Sequence, residues 1–346
     1  MSIECINLAL SNRCNAKCIW CPKTRGTKHN FDMSFDTVKK IIDEAAAPDF
    51  PYQIKMIHLS ENGEALYNTD FLDIVRYIKL KLPNTALNLL SNFGLMKPSI
   101  ARKLLEEKLL SSIQMNVDGH DAKSYKAVKG ISYAGVIKNL KRFLELRQKY
   151  DPNFNFSINV MPAFEYAVSV NAFLNHKPDQ MKKRIPFSSF EETVKSLRDF
   201  VPDNVYFNHS KSGLWAERSL ITSGRARINV DQSTLDCPLL ARVESEIFVA
   251  PNGDWYPCCY DDNNDIVLGN VNESTLMEIH DSDTRKEFIN KLRARRFEEI
   301  GYPCNTVACC QSVSIKNFNA ATKDYNLGDH ISIVKKNTII HIKSIN

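Results

Sequence analysis

Residues 14–21 read Cys14-Asn15-Ala16-Lys17-Cys18-Ile19-Trp20-Cys21, a C-x3-C-x2-C spacing placed just after the first strand-like run, Ile6–Leu10. Three thiols packed this closely can hold three corners of a cubane iron–sulfur cluster, since thiolates are its usual protein ligands. The fourth iron would then stay open. A structural zinc ion wants a closed set of four ligands. The nearest extra candidate, His29, lies in a segment with no other metal-site spacing.

Outward from this loop a strand-then-helix rhythm repeats. Apolar, β-rich runs predict strands at Ile6–Leu10, Ile54–Leu59, Ala86–Leu90, Ile113–Val117, Phe156–Val160 and Val205–Phe207. Between them, amphipathic patterns predict helices at Asp36–Ala46, Phe71–Leu80, Ser99–Leu109, Gly135–Arg147 and Glu191–Phe200. Such alternation argues for βαβ units and a parallel sheet. Six units are too few for an eight-stranded barrel, which leaves a partial barrel or an open sheet. Residues 211–236, with Gly213 and Gly224, read as a linker. A second region, 237–312, carries a strand at Ile247–Val249, a turn at Pro251-Asn252-Gly253 and one helix from Ser274 to about Arg295. The tail, 313–346, reads as a hairpin of His330–Val334 and Thr338–Ile342.

The composition is that of an ordinary globular protein: 346 residues, 43% hydrophobic, 25% charged, net charge +5. That excludes disorder, collagen-like repeats and coiled coil as the main architecture. No apolar run is long enough to span a membrane, and no secretory signal opens the chain, so a cytoplasmic protein is expected. The basic runs Lys182-Lys183-Arg184 and Arg293-Ala294-Arg295-Arg296 read as solvated faces, with an anion-binding patch as the other reading; no nucleic-acid partner is expected. Of ten cysteines, none lies between Cys21 and Cys237. In a reducing compartment such clusters indicate metal rather than disulfides.

With Trp20 in the aromatic place, the motif C-x3-C-x-aromatic-C resembles the signature of radical S-adenosylmethionine (SAM) enzymes. The resemblance implies an α/β fold, a partial (β/α)6 TIM-like barrel over residues 1–210. It implies a [4Fe-4S] cluster on Cys14, Cys18 and Cys21, whose open iron binds the amino and carboxylate groups of SAM. An electron from that cluster then cleaves SAM to methionine and a 5′-deoxyadenosyl radical. Asn62-Gly63-Glu64, after the second strand, is similar to the family's G-G-E segment, although Glu61 replaces the first Gly and Ala65 the Pro. Gly63 is expected to make space for the ligand, and Glu64 to be a positioning contact. Ser91-Asn92-Phe93-Gly94 is similar to the family's T-N-G, and Asn116-Val117-Asp118-Gly119 to its S-[IL]-D-G. Ser91, Asn116 and Asp118 are accordingly expected near SAM. The plainer alternative is that Asp118-Gly119 makes a turn and caps the next helix. The fifth strand offers Ser157 and Asn159, read as alternating in facing, with no choice between them.

The second group, Cys237, Cys258, Cys304, Cys309 and Cys310, with G-x4-C from Gly253 to Cys258, resembles the SPASM and twitch extensions of that family. Those bind auxiliary [4Fe-4S] clusters. A full SPASM extension carries seven cysteines for two clusters; six stand here and none follows Cys310. The resemblance thus implies one auxiliary cluster on Cys237, Cys258, Cys304 and either Cys309 or Cys310. Cys259 is left to packing. A zinc ribbon would want a C-x2-C pair near each end, and neither is present.

The implied outcome is a substrate radical that passes an electron to the auxiliary cluster. One substrate class is a sugar, cyclitol or aminoglycoside-like small molecule, dehydrogenated at a carbinol carbon. A single auxiliary cluster favours it, as does a first strand so near the N-terminus that no leader-peptide-binding domain precedes it. The other class is a ribosomally made peptide, epimerised or crosslinked, with Cys5, Cys259 or one of Cys309 and Cys310 as hydrogen-atom donor. A reductant such as flavodoxin or ferredoxin is the expected partner. An electron carrier or binding module would have no use for the SAM-like segments. No side chain stands out as catalytic.

Overall fold

Strand alternation decides what each face of the sheet meets. The computed structural model describes residues 2–18, 21, 31–59, 63–160, 188–209, 237, 239–261 and 264–305, and the backbone of 331–335 and 338–342. Six strands run parallel: β1 (Cys5–Leu8), β2 (Met56–His58), β3 (Ala86–Ser91), β4 (Ser112–Asn116), β5 (Asn155–Val160) and β6 (Tyr206–His209). Between them lie α1 (Phe35–Ala45), α2 (Phe71–Lys81), α3 (Pro98–Glu106), α4 (Ala122–Lys129), α5 (Tyr133–Tyr150) and α6 (Phe190–Arg198). On one face Ile6, Ile57, Leu87, Ile113, Phe156 and Ile158 are buried beneath the helices. Each such side chain contributes about 1.5–3 kcal/mol on burial. Phe93, Phe143 and Phe156 pack there with ring centroids 4.9–5.6 Å apart.

The extension does not form a separate sheet. It comprises α7 (Leu240–Ser245), β7 (Glu246–Val249), β8 (Asp254–Tyr256), β9 (Gly269–Asn270), α8 (Leu276–Asp281), α9 (Asp283–Arg293) and α10 (Phe297–Ile300). β7 pairs parallel with β1, matching Cys5 with Glu246 and Asn7 with Phe248, while β8 and β9 follow antiparallel. The result is one open nine-stranded sheet, β6-β5-β4-β3-β2-β1-β7-β8-β9. Buried Arg285 fastens the extension internally by donating to the carbonyls of Val243, Glu244 and His280. Thr37 donates to Asn272 across the junction at 2.8 Å. β10 (Ile331–Lys335) and β11 (Thr338–Ile342) pair antiparallel.

Two elements differ from the sequence expectation. The single helix expected from Ser274 is two, because Ser282 ends α8 by donating to the Ile279 carbonyl and caps α9 by accepting from Arg285 N. A Ser hydroxyl competing with the backbone in this way breaks a helix. The eight-residue α4 is too short for periodicity to betray. Its signals are its caps: an Asp121/Ser124 capping box at the start and Gly130, at φ 70°, at the end. Asp121 is therefore the cap, which corrects the capping role considered for Asp118. Among the described residues no helix is long and apolar enough to cross a membrane.

Candidate functional site

The cysteine loop leaves the C-terminal end of β1 and is pinned on both sides. Ser11 and Arg13 bind the Asp32 carboxylate, and the Arg13 guanidinium also lies over the Tyr67 ring. Glu64 N donates to the Arg13 carbonyl at 2.9 Å. Asn92 donates to Asn15 Oδ1 at 2.9 Å and reaches Cys14 Sγ at 3.5 Å. Lys17 N donates to the Lys129 carbonyl, and Cys21 N to that of Cys18.

Burial pushes the Cys14 thiol up to about 12, with the nearby charges of Glu64, Cys18 and Cys21 adding to the rise. Burial likewise pushes Cys18 up to about 11, against the pull of Lys129. Three half-buried thiols near enough to oppose one another's ionisation will form thiolates only beside a strong positive charge. That donor set fits a cluster whose irons supply the charge.

The neighbouring segments support this loop. Glu64 is buried, and burial raises its pKa. Its carboxylate accepts from Ser91 Oγ and Asn92 N, both at 2.9 Å. Ser91 Oγ in turn accepts from Phe93 N, where the backbone takes a φ of 61°. A left-handed Phe is strained, and this network holds it. At Gly63 an added Cβ would lie 2.0 Å from the Ser11 carbonyl. The crowding comes from the chain entering the cysteine loop. Asp118, expected near SAM, is buried and bound to Lys129 Nζ at 2.6 Å. Trp20, Asn62, Cys309 and Cys310 lie outside the described residues.

The other face of the sheet is polar and partly open. In register from β1 it presents Asn7, His58, Asn88, then Ser112, Gln114 and Asn116 of β4, and Ser157 and Asn159 of β5. Ser157 and Asn159 are two apart and share this face, which corrects the alternating reading. Gln114 donates to Asn159 at 2.9 Å. Asn116 has no side-chain hydrogen bond among the described residues, so Asn116 and the amide nitrogen of Asn159 suit a ligand at the strand ends. Met56 and Leu90 add apolar area to the same face. Burial lowers the His58 pKa, which favours a neutral imidazole.

This face continues into the extension. Asn7 donates to Glu246 at 2.9 Å, Arg242 forks onto both Glu246 oxygens, and Arg242 Nη1 reaches Cys259 Sγ at 3.6 Å. Cys259 is thus held by a guanidinium rather than merely packed. Cys258 and Cys304 are buried, and Cys237 is half-buried. The sequence reading missed Asn7, His58, Gln114, Arg242 and Glu246. The polar alternation within the predicted strands was the available signal for the first three.

Comparison with known proteins gives two family matches: the radical SAM superfamily over residues 8–164 and an iron–sulfur cluster-binding domain, SPASM, over residues 237–310. A probable GTP 3′,8-cyclase of Methanococcus maripaludis is 25% identical over 222 residues, 60% of this chain and 72% of that protein. The crystal structure of BtrN in complex with AdoMet and 2-DOIA aligns with a TM-score of 0.53 at 13% identity, over 90% of this chain and 93% of that one. Native anSMEcpe with bound AdoMet and Cp18Cys peptide aligns with a TM-score of 0.51 at 16% identity, over 90% and 88%.

Proposed function

The chain belongs to the radical SAM superfamily and carries a SPASM iron–sulfur cluster-binding domain, and from that premise we propose that it dehydrogenates a polyhydroxylated small molecule of the sugar, cyclitol or aminoglycoside type. The SAM-binding [4Fe-4S] cluster and SAM together supply the 5′-deoxyadenosyl radical. Cys14, Cys18 and Cys21 hold that cluster, and Asn116 and Asn159 orient SAM. Cys237, Cys258 and Cys304, with Cys309 or Cys310, hold an auxiliary cluster. When bound, SAM would thereby supply an acceptor for the hydrogen atom of a carbinol carbon. His58, kept neutral by burial, takes the hydroxyl proton. The auxiliary cluster, held by those cysteines, would accept the remaining electron, leaving the carbinol as a ketone or aldehyde.

The observation that carries this reading is the polar face itself. Amide, hydroxyl, imidazole and carboxylate groups recur from Asn159 to Glu246, and hydroxyl-rich substrates need such paired donors and acceptors. Its continuation through Glu246 and Arg242 to Cys259, beside Cys258, supports the extension as the electron's destination. The alternative is modification of a ribosomal peptide, in which Cys259 would donate a hydrogen atom. Mass spectrometry of candidate substrates after turnover in deuterated water separates the two. Loss of about 2 Da from a polyol marks dehydrogenation, whereas the same loss from a peptide marks crosslinking and favours the alternative. A peptide of unchanged connectivity that gains solvent deuterium marks epimerisation and would end the polyol reading.

A further inference from the structure

Behind the cysteine loop lies a buried ion pair that the proposed reaction does not use. Lys129, in the last turn of α4, and Asp118, just past β4, are 3% and 1% exposed, with Nζ and Oδ2 2.6 Å apart. Burying charges costs several kcal/mol per ion before their attraction is counted. Two contacts join this pair to the loop. Lys17 N donates to the Lys129 carbonyl at 2.8 Å. The next residue, Gly130, packs so closely on Lys17 that an added Cβ would lie 3.0 Å from the Lys17 Cβ. Cys18 follows Lys17 directly in the chain, so the buried pair stands behind this corner of the loop. Burial pulls the Lys129 ammonium down, but Asp118, Cys18 and Tyr125 outweigh it and hold its pKa well above the ordinary value.

We infer that Lys129 and Asp118 clamp the Cys18 corner of the SAM-binding cluster and set how readily that cluster accepts its electron, with Lys129 a positioning residue rather than a catalytic one. The inference rests on the assignment of Cys14, Cys18 and Cys21 to that cluster. Reduction adds a negative charge to a group already ringed by thiolates, in a site where water screens weakly. A permanent cation buried beside the cysteine loop lowers the cost of that charge.

The test is a redox titration of the anaerobically reconstituted full-length protein, followed by electron paramagnetic resonance. The signal to follow is the one that changes when SAM is added. Lys129→Met should make the cluster harder to reduce by about tenfold in equilibrium constant, about 59 mV for one electron. Asp118→Asn should shift the potential in the opposite direction and by less, and Lys129→Arg should recover most of the loss. Should Lys129→Met not fold with a lone buried carboxylate, the Asp118→Asn/Lys129→Met double variant removes that charge. It should still reduce less readily than Asp118→Asn alone. A wild-type potential in folded Lys129→Met, or in the double variant, overturns the inference. So does weakened SAM binding with the potential unchanged, which would make Lys129 a SAM ligand. Failure of the cluster assignment is distinct: the SAM-responsive signal would survive replacement of Cys14, Cys18 and Cys21 by Ala.

Discussion

In the loop after β1, Cys14, Cys18 and Cys21 come from one short segment, and nearly everything that fixes them comes from elsewhere. Arg13 is tied to Asp32, Cys14 to Asn92, and Lys17 to Lys129. In the extension the order is reversed. Cys237, Cys258 and Cys304 are scattered along the chain, each a few residues from a short local element, α7, β8 or α10. The contrast teaches where each site is vulnerable. The first depends on distant polar partners that hold the loop, whereas the second depends on the folding of a small unit with metal as part of its core.

The largest expected effect breaks the comparison at its root. Replacing Cys14, Cys18 and Cys21 together by Ala should abolish 5′-deoxyadenosine formation and lower bound iron from about eight to about four per chain. Chromatography of the nucleoside and an iron assay check this; full SAM cleavage by the triple variant would move the cluster elsewhere. Next, Cys258→Ala should leave hydrogen abstraction intact, read as deuterium passing from substrate into 5′-deoxyadenosine. The same variant should cut oxidised product about tenfold or more. Circular dichroism must first show a folded extension. Product at the normal rate would make the auxiliary cluster structural.

Smaller effects sharpen the contrast between a supported loop and a self-built unit. Gly63→Val should cost about 3 kcal/mol by overpacking, because its side chain collides with the Ser11 carbonyl. Chemical denaturation of the iron-loaded protein would read it; an unchanged midpoint would mean the loop has room to shift. Glu64→Ala should cost about 1.5–3 kcal/mol by stranding Ser91 and Asn92. Glu246→Gln, in the partly open contact with Arg242, should cost only about 0.5–1 kcal/mol. A larger loss at Glu246 than at Glu64 would invert the proposed hierarchy.

How far could these sites be seen in the chain alone? The strand–helix alternation and the C-x3-C-x2-C spacing were legible because they are local and periodic: each strand shows its buried face every second residue, and each loop ligand is a near neighbour of the next. The internal partners of Glu64 and Asp118 were illegible for the opposite reason. Both are charged residues beside a glycine at a strand end, a pattern that suits a ligand contact as well as an internal partner. Only the fold brings Ser91 and Asn92 to one and Lys129 to the other.

By itself, then, the sequence determined an α/β chain with one compact thiolate loop and one dispersed thiol group, since composition, period and spacing are written residue by residue. Tertiary structure alone decided that β7 pairs with β1 across some 240 residues of chain. It also decided that the space beside Gly63 belongs to Ser11, and that a buried ammonium backs Cys18. Each is a matter of which distant groups meet once water is excluded. Hydrogen bonds and buried charges take their partners from whatever packing supplies, and no local pattern specifies that choice.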